Sequence, residues 1–236
     1  MDYQSVFKRY ELKYVLSLQQ RDAVLKASEP YMELDKYGLT SIKNIYFDTD
    51  SYRLIRNSIE KPVYKEKLRI RQYGKHTPDN SVFIELKKKF EDIVYKRRVK
   101  TSEELAFEWL CNQRCRIPKT QIVEEIDYFV SYYQALHPVL FLSYDRMAYF
   151  SKDGSDFRMT FDNSITCRQS DLCMCADVYG IPVLNDDHVL MELKCSGGIP
   201  LWMTEVLTKE KIYKTSFSKY GTAYKQVIFP HLKEAF

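Results

Sequence analysis

Residues 64–74 read YKEKLRIRQYG, and a repeat of two sets Lys65, Lys67, Arg69 and Arg71 on one face, with Leu68 and Ile70 on the other. The same alternation, with many β-branched and aromatic residues, predicts strands over 6–16, 41–47, 63–73, 81–89, 92–99, 138–150, 156–162 and 187–195. Short links, such as FED between the fourth and fifth, predict antiparallel neighbours. Helical periodicity fills the gaps. It predicts helices over 18–28 with Ser17 as cap, from Asp48 or Asp50 through 60, and over 102–113 with a Thr101–Glu104 capping box. Further helices are predicted over 119–135 behind Pro118, over 201–210 behind Pro200, and over 217–228. No repeat, low-complexity tract or linker divides residues 1–236, so they are read as a single α+β domain built on an antiparallel sheet.

The polar faces of these strands share a character. Arg9, Glu11 and Lys13 lie together, as do Glu85 with Lys87, Lys96 with Arg98, Arg158 with Thr160 and Asp162, and Glu192 with Lys194. Arg146 shares its face with Tyr144 and Ala148. Two arrangements accommodate such stripes. In an open sheet the apolar faces pack on helices and the charged faces meet water. In a barrel the charged faces turn inward and helices cover an apolar outer wall. The second would gather roughly a dozen cations around Glu11, Glu85, Asp162 and Glu192. Its interior would have to be wet, and it would favour a polyanion. Arginine forks match phosphate oxygens, lysine adds point charge, and spare carboxylates suit a hard divalent cation.

Composition narrows the classes. A chain of 236 residues, 45% hydrophobic and 14% aromatic, can bury a sizeable core. Its net charge of +4, from 36 basic and 32 acidic residues, argues against a nucleic-acid coat, so anion preference must come from charge placement. No segment has the apolar length of a membrane span or a signal peptide's core, and the expected location is cytoplasmic, with a membrane partner protein still open. The six cysteines include no C-x2-C pair and are read as reduced thiols rather than zinc ligands or disulfides. His76, His137, His188 and His231 are scattered and are read as structural or exposed.

Taken in order, RYELKY, KLRIRQYG, FIELKKK, VYKRRV, SYDRMAYF, FRMTFD, LMELK and SFSKYGTAY resemble the VTC domain. That is the catalytic domain of the vacuolar transporter chaperone polyphosphate polymerases, within the triphosphate tunnel metalloenzyme (CYTH-like) superfamily. The resemblance covers about residues 5 to 228 and implies an eight-stranded antiparallel β-barrel, a tunnel with helices outside. It implies a metal-dependent phosphotransferase that moves the γ-phosphoryl of ATP onto polyphosphate with Mn²⁺ or Mg²⁺. The phosphate-binding cations it implies are Lys13, Arg69, Arg71, Lys87, Lys96, Arg98, Arg146, Arg158, Lys194 and Lys219, with Ser218 beside them. Arg69, Arg71, Lys87, Arg146 and Lys219 would act in catalysis, and Glu192 with Glu85 would hold the metal. The hydrolase branch of the superfamily begins its first strand with E-x-E-x-K, whereas this chain has Arg9 in place of the first glutamate. The exchange favours a polymerase or polyphosphate-binding tunnel over a two-metal hydrolase. Hydrolysis of tripolyphosphate or nucleoside triphosphates, and non-catalytic polyphosphate sensing, are the alternatives.

Overall fold

A computed structural model describes residues 10–74, 81–91 and 93–234. Chain order begins with β1 (Tyr10–Ser17), α1 (Leu18–Ser28), β2 (Met32–Leu34), β3 (Thr40–Asp48) and α2 (Arg53–Ile59). It continues with β4 (Tyr64–Tyr73), β5 (Ser81–Phe90), β6 (Ile93–Ser102), α3 (Glu103–Asn112), α4 (Gln121–Tyr133) and β7 (His137–Ser151). The last third holds β8 (Arg158–Arg168), β9 (Ile181–Pro182), β10 (His188–Cys195), α5 (Leu201–Lys209) and β11 (Lys214–Thr215). The chain then forms α6 (Lys219–Ala223), a π-helical turn (Tyr224–Ile228) and α7 (Phe229–Glu234).

The eight long strands correspond to the eight that alternation predicts, although β8 starts at Arg158 and runs to Arg168 rather than over 156–162, and residues 6–9 and 92 lie outside the described residues. Closure does not follow. The sheet has 11 strands in the order β11-β1-β10-β8-β7-β3-β4-β5-β6, with β2 on β7 and β9 on β8, and no ladder joins β6 to β1 among the described residues. The expected eight-stranded barrel is therefore an open antiparallel sheet. One physical reason lies at β1, whose outer edge is partly taken by β11 at Lys13 and Tyr14. The sheet still curls on itself: Lys87 of β5 reaches Glu11 of β1 at 3.3 Å, although several strands separate them along the path.

Curling puts the apolar stripes outside. Leu68, Ile70, Ile84 and Leu86 are fully buried with Trp109 of α3 and Ile126 of α4. Met191 and Leu193 pack with Val24 of α1 and Met203 of α5. A third cluster sets Tyr220 and Tyr224 against Ile42, Leu140 and Leu142. Side-chain burial on this scale, at about 25 cal/mol per Å² of apolar surface, is the main force holding the helices to the wall.

Several helix ends differ from the sequence reading. Ser17 caps α1 in a full capping box with Gln20. Helix α3 is capped not by Thr101 but by the hydroxyl of Ser102, the last residue of β6, which accepts from Leu105 N. The predicted 217–228 helix starts at Lys219 behind Ser218, widens into the π-turn and runs to Glu234. Asp48 acts at a distance: its carboxylate accepts from Leu54 N and Ile55 N, so it caps α2 from the end of β3. The reduced-thiol reading fails at Cys173 and Cys175, which are bridged; Cys111, Cys115, Cys167 and Cys195 are free. Met174, between the two cysteines in sequence, is buried in the core, and Lys43 Nζ donates to the carbonyls of Met174 and Ala176.

Asp48 also accepts from the Tyr220 hydroxyl at 2.9 Å, which ties α6 to α2. Asp48→Ala is expected to cost about 3 kcal/mol, since it removes a helix cap and strands a buried hydroxyl. Tyr220→Phe, which loses one hydrogen bond, should cost about 1 kcal/mol. Urea unfolding of the two variants checks this, and equal effects would remove Asp48 from its role as a joint.

Candidate functional site

The charged stripes meet inside the curl, around three groups of carboxylates. Glu85, 1% exposed, is the first. Its Oε2 accepts from Arg69 Nε at 3.1 Å and Nη2 at 2.8 Å, and Arg71 Nε lies 3.7 Å away. Its Oε1 pairs with Lys96 Nζ at 2.7 Å and Arg98 Nη2 at 2.7 Å. Register explains the grouping, because Arg69 and Arg98 lie directly across from Glu85 on β4 and β6.

The second group is Asp162 and Glu192, neighbours across β8 and β10. Arg146 Nε donates to Asp162 at 2.5 Å, and Lys219 Nζ bridges Asp162 and Glu192. Lys13 and Lys194 lie 3.4 and 3.6 Å from Glu192. Glu11 forms the third group, pairing with Lys13 and Lys87 at 3.3 Å each.

Hydroxyl-bearing rings join the groups. The Tyr144 hydroxyl accepts from Arg71 Nη2 at 2.9 Å, and Lys219 Nζ lies 4.6 Å from the centre of the Tyr144 ring. Tyr46 accepts from Arg69 Nη1 at 3.0 Å and stacks on Tyr220. Asn44 Oδ1 accepts from Arg71 Nε. Ser218 Oγ accepts from Lys67 Nζ at 3.0 Å and also caps α6, so the cap and the lysine wall share one oxygen.

Of the residues named from sequence, Lys13, Arg69, Arg71, Lys87, Lys96, Arg98, Arg146, Lys194, Lys219, Glu85 and Glu192 fall within these networks, and Ser218 faces them through Lys67. Arg158 does not join them; it is exposed at the start of β8 and takes no ion pair among the described residues. Arg9 and His76 lie outside the described residues. His137 and His188 stand beside surface aspartates, Asp50 and Asp187. The site list drawn from sequence misses Glu11, Lys67, Asp162, Tyr46 and Tyr144, although alternation already set Glu11, Lys67, Asp162 and Tyr144 on the charged faces.

The sequence profile of the VTC domain matches residues 8–228. The chain belongs to the VTC domain family. Solved structures of similar fold include a candidate adenylate cyclase from Bacillus halodurans, 15% identical, with a TM-score of 0.55 over 91% of this chain and 96% of that one. A second, from Hippeastrum, is a candidate adenylyl cyclase described as having a dominant triphosphatase activity; it is 15% identical, with a TM-score of 0.53 over 91% of this chain and 94% of that one. A comparison with curated proteins found no match. No helix among the described residues is long and apolar enough to cross a membrane.

The metal reading divides within this VTC domain. Glu85 does not fit it: four cations already surround its carboxylate, and no second acidic ligand is beside it. Glu192 fits better, because its hard oxygens neighbour those of Asp162 and Glu11 through shared lysines. Even there, no group of three metal-ligating residues is assembled among the described residues.

Protonation follows the crowding. Burial raises carboxyl pKa values, yet Arg69, Arg71 and Lys96 hold Glu85 well below the usual carboxylate range. Lys219, Lys13 and Lys194 do the same for Glu192 against its own burial. The cations with least compensation bear the strain. Burial, then Lys13, Lys87, Lys65 and Arg69, pushes Lys67 down to about 7. Burial lowers Lys96 to about 8 even with Glu85 opposing it.

An anion bound in the lumen would raise both values, so the complex holds more protons than the free protein above pH 7. Anion affinity must then fall as pH rises through the window from about 7 to about 8. Thermal stabilisation by sulfate, measured against chloride at matched ionic strength, should shrink across that window. Lys67→Met and Lys96→Met should each flatten the dependence. A sulfate effect that stays constant from below to above the window would mean that neither lysine titrates there.

Proposed function

We propose that this VTC domain is an ATP-dependent polyphosphate polymerase, a metal-dependent phosphotransferase working inside the cationic lumen. One observation carries the reading: ten cations (Lys13, Lys67, Arg69, Arg71, Lys87, Lys96, Arg98, Arg146, Lys194 and Lys219) gather around four carboxylates (Glu11, Glu85, Asp162 and Glu192) on the inner face of the curled sheet, some buried and some partly exposed. Such an excess of cations is expensive unless a polyanion neutralises it. No histidine or cysteine beside a base stands among these groups, which agrees with a reaction that needs no protein nucleophile.

In the transfer, a terminal oxygen of the polyphosphate attacks the γ-phosphorus of ATP. The bond to the β–γ bridging oxygen breaks and ADP leaves. The attacking oxygen is already an anion, so no general base is needed. Arg69 and Arg71 are aligned by Glu85, Asn44 and the two tyrosines, and would hold donor phosphates in fixed forks. Lys219 and Arg146 would bear on the opposite side, where Ser218 opens the short α6. Lys87 and Lys13, released from Glu11, would guide the acceptor chain. Glu192 would hold Mn²⁺ or Mg²⁺, which when bound would supply charge neutralisation to the transferring phosphoryl group.

Hydrolysis of a triphosphate would use the same lumen with water as acceptor, and the relative from Hippeastrum is described with that activity. Incubation with ATP and Mn²⁺, with products resolved on a gel, separates the readings. A polyphosphate ladder with ADP is the expected result; free orthophosphate alone would indicate hydrolysis, and no turnover a binding protein. Glu192→Gln should keep metal-free binding of a non-hydrolysable ATP analogue while turnover drops at least about a hundredfold, or ~2.7 kcal/mol in barrier. Arg71→Ala should weaken the analogue with or without metal. Normal turnover by Glu192→Gln at low Mn²⁺ would remove Glu192 from the metal role.

A further inference from the structure

On the outer side of the wall, behind β4, lies a cavity of about 620 Å³ between α2, α4 and the ends of β4 and β5. Its floor is Glu66, a carboxylate on the face of β4 that otherwise carries Leu68 and Ile70. Glu66 is only 9% exposed. It is satisfied where it stands: the Tyr64 hydroxyl donates at 2.5 Å, the Tyr133 hydroxyl at 2.9 Å, and Lys88 Nζ lies 3.9 Å away. The acid at the bottom is therefore already neutralised by donors.

The cations on the wall are not. Arg53 and Arg56 lie one turn apart on α2, both exposed and both lining the cavity. The Arg53 guanidinium rests 5.7 and 5.3 Å from the ring centres of Tyr132 and Tyr133 and has no carboxylate partner among the described residues. Arg56 makes one long contact, to the Ser51 carbonyl at 3.5 Å. Cation–π contact fixes the direction of a guanidinium while leaving its N–H edge free for an acceptor. Beside it, Tyr132 and Tyr128 stack on each other and are 54% and 72% exposed, a pair of aromatic faces turned to solvent. Asn57 and Ser51 add neutral donors at the rim.

We propose that this cavity is a second binding site, separate from the lumen, for a small aromatic anion. The phosphate or carboxylate of the ligand takes the forks of Arg53 and Arg56, and its ring lies on the Tyr128–Tyr132 wall. A ligand cation is disfavoured, because the π faces of Tyr132 and Tyr133 already hold Arg53 and the floor carboxylate is already paired.

Phenyl phosphate is the probe, titrated into the intact protein by ligand-observed NMR. Phenol and inorganic phosphate serve as half-ligands and should each bind at least about tenfold more weakly. The double substitution Arg53→Gln/Arg56→Gln, on exposed side chains, should weaken phenyl phosphate about tenfold or more. So should Tyr132→Ala, whereas Lys87→Gln in the lumen should leave it unchanged. Because the lumen also takes simple oxyanions, the reading is taken on the binding that the cavity variants remove: the proposal is overturned if they remove none for phenyl phosphate, if they remove as strong a component for phenol or inorganic phosphate, or if only the lumen variant weakens binding. Because the lumen variant is read separately, failure of the polymerase reading would not be mistaken for failure of this site.

Discussion

Everything in this protein depends on keeping like charges close without letting them drive the sheet apart. Side chains two apart on a strand lie only about 7 Å from each other, and neighbouring strands bring them closer still. Four carboxylates make the crowding tolerable by standing among the cations, with Lys219 and Lys13 set between Glu192 and its acidic neighbours Asp162 and Glu11. Glu85 holds four cations at 3.7 Å or less, and Glu192 with Asp162 shares Lys219 and Arg146. Such pairs are not a large source of net stability, since desolvation offsets much of the attraction. Their effect is geometric: they fix the directions in which guanidinium and ammonium groups point.

That distinction explains why Glu85 is suited to anchoring arginines rather than to taking a further cation. A ligand for a divalent cation needs oxygens free to turn to it, and both oxygens of Glu85 are engaged by forks. Sequence alone does not separate Glu85 from Glu192, because both stand in an E-x-K unit on an inward face. Register separates them. Glu85 faces Arg69 and Arg98 on its two sides, whereas Glu192 faces Lys13 and Thr160.

Strand alternation made the inward and outward faces legible before any coordinate was known, and the lumen residues follow from it almost alone. Period two depends only on backbone pleat, which no tertiary contact can overturn without a bulge. Closure was not legible, because it turns on which edge is still free, and the two residues of β11 on β1 have no sequence signal of their own. Arg158 shows a related limit. It has the right parity, but parity says nothing about height along the tunnel, and it sits at the exposed strand end. The Cys173–Cys175 bridge was missed for a similar reason, since a loop's turn is set by what it packs against, here Met174 in the core.

The lumen is also held from outside. Asp48 lies at the end of β3, caps α2 through two backbone amides and accepts from Tyr220 of α6. Tyr220 stacks on Tyr46 with ring centres 4.5 Å apart, and Tyr46 accepts from Arg69. Gly221 continues the same contact, because a side chain there would meet Ser218 at 3.2 Å and Ile59 of α2 at 3.8 Å. One buried carboxylate thus joins the helix that presents Lys219 to the strand pair that presents Arg69. The two cations are linked through Tyr46, Tyr220 and Asp48 as well as through the charged network. The donors therefore keep their directions without a bound ligand, and a group held in place in advance needs little rearrangement when a charge is brought to it.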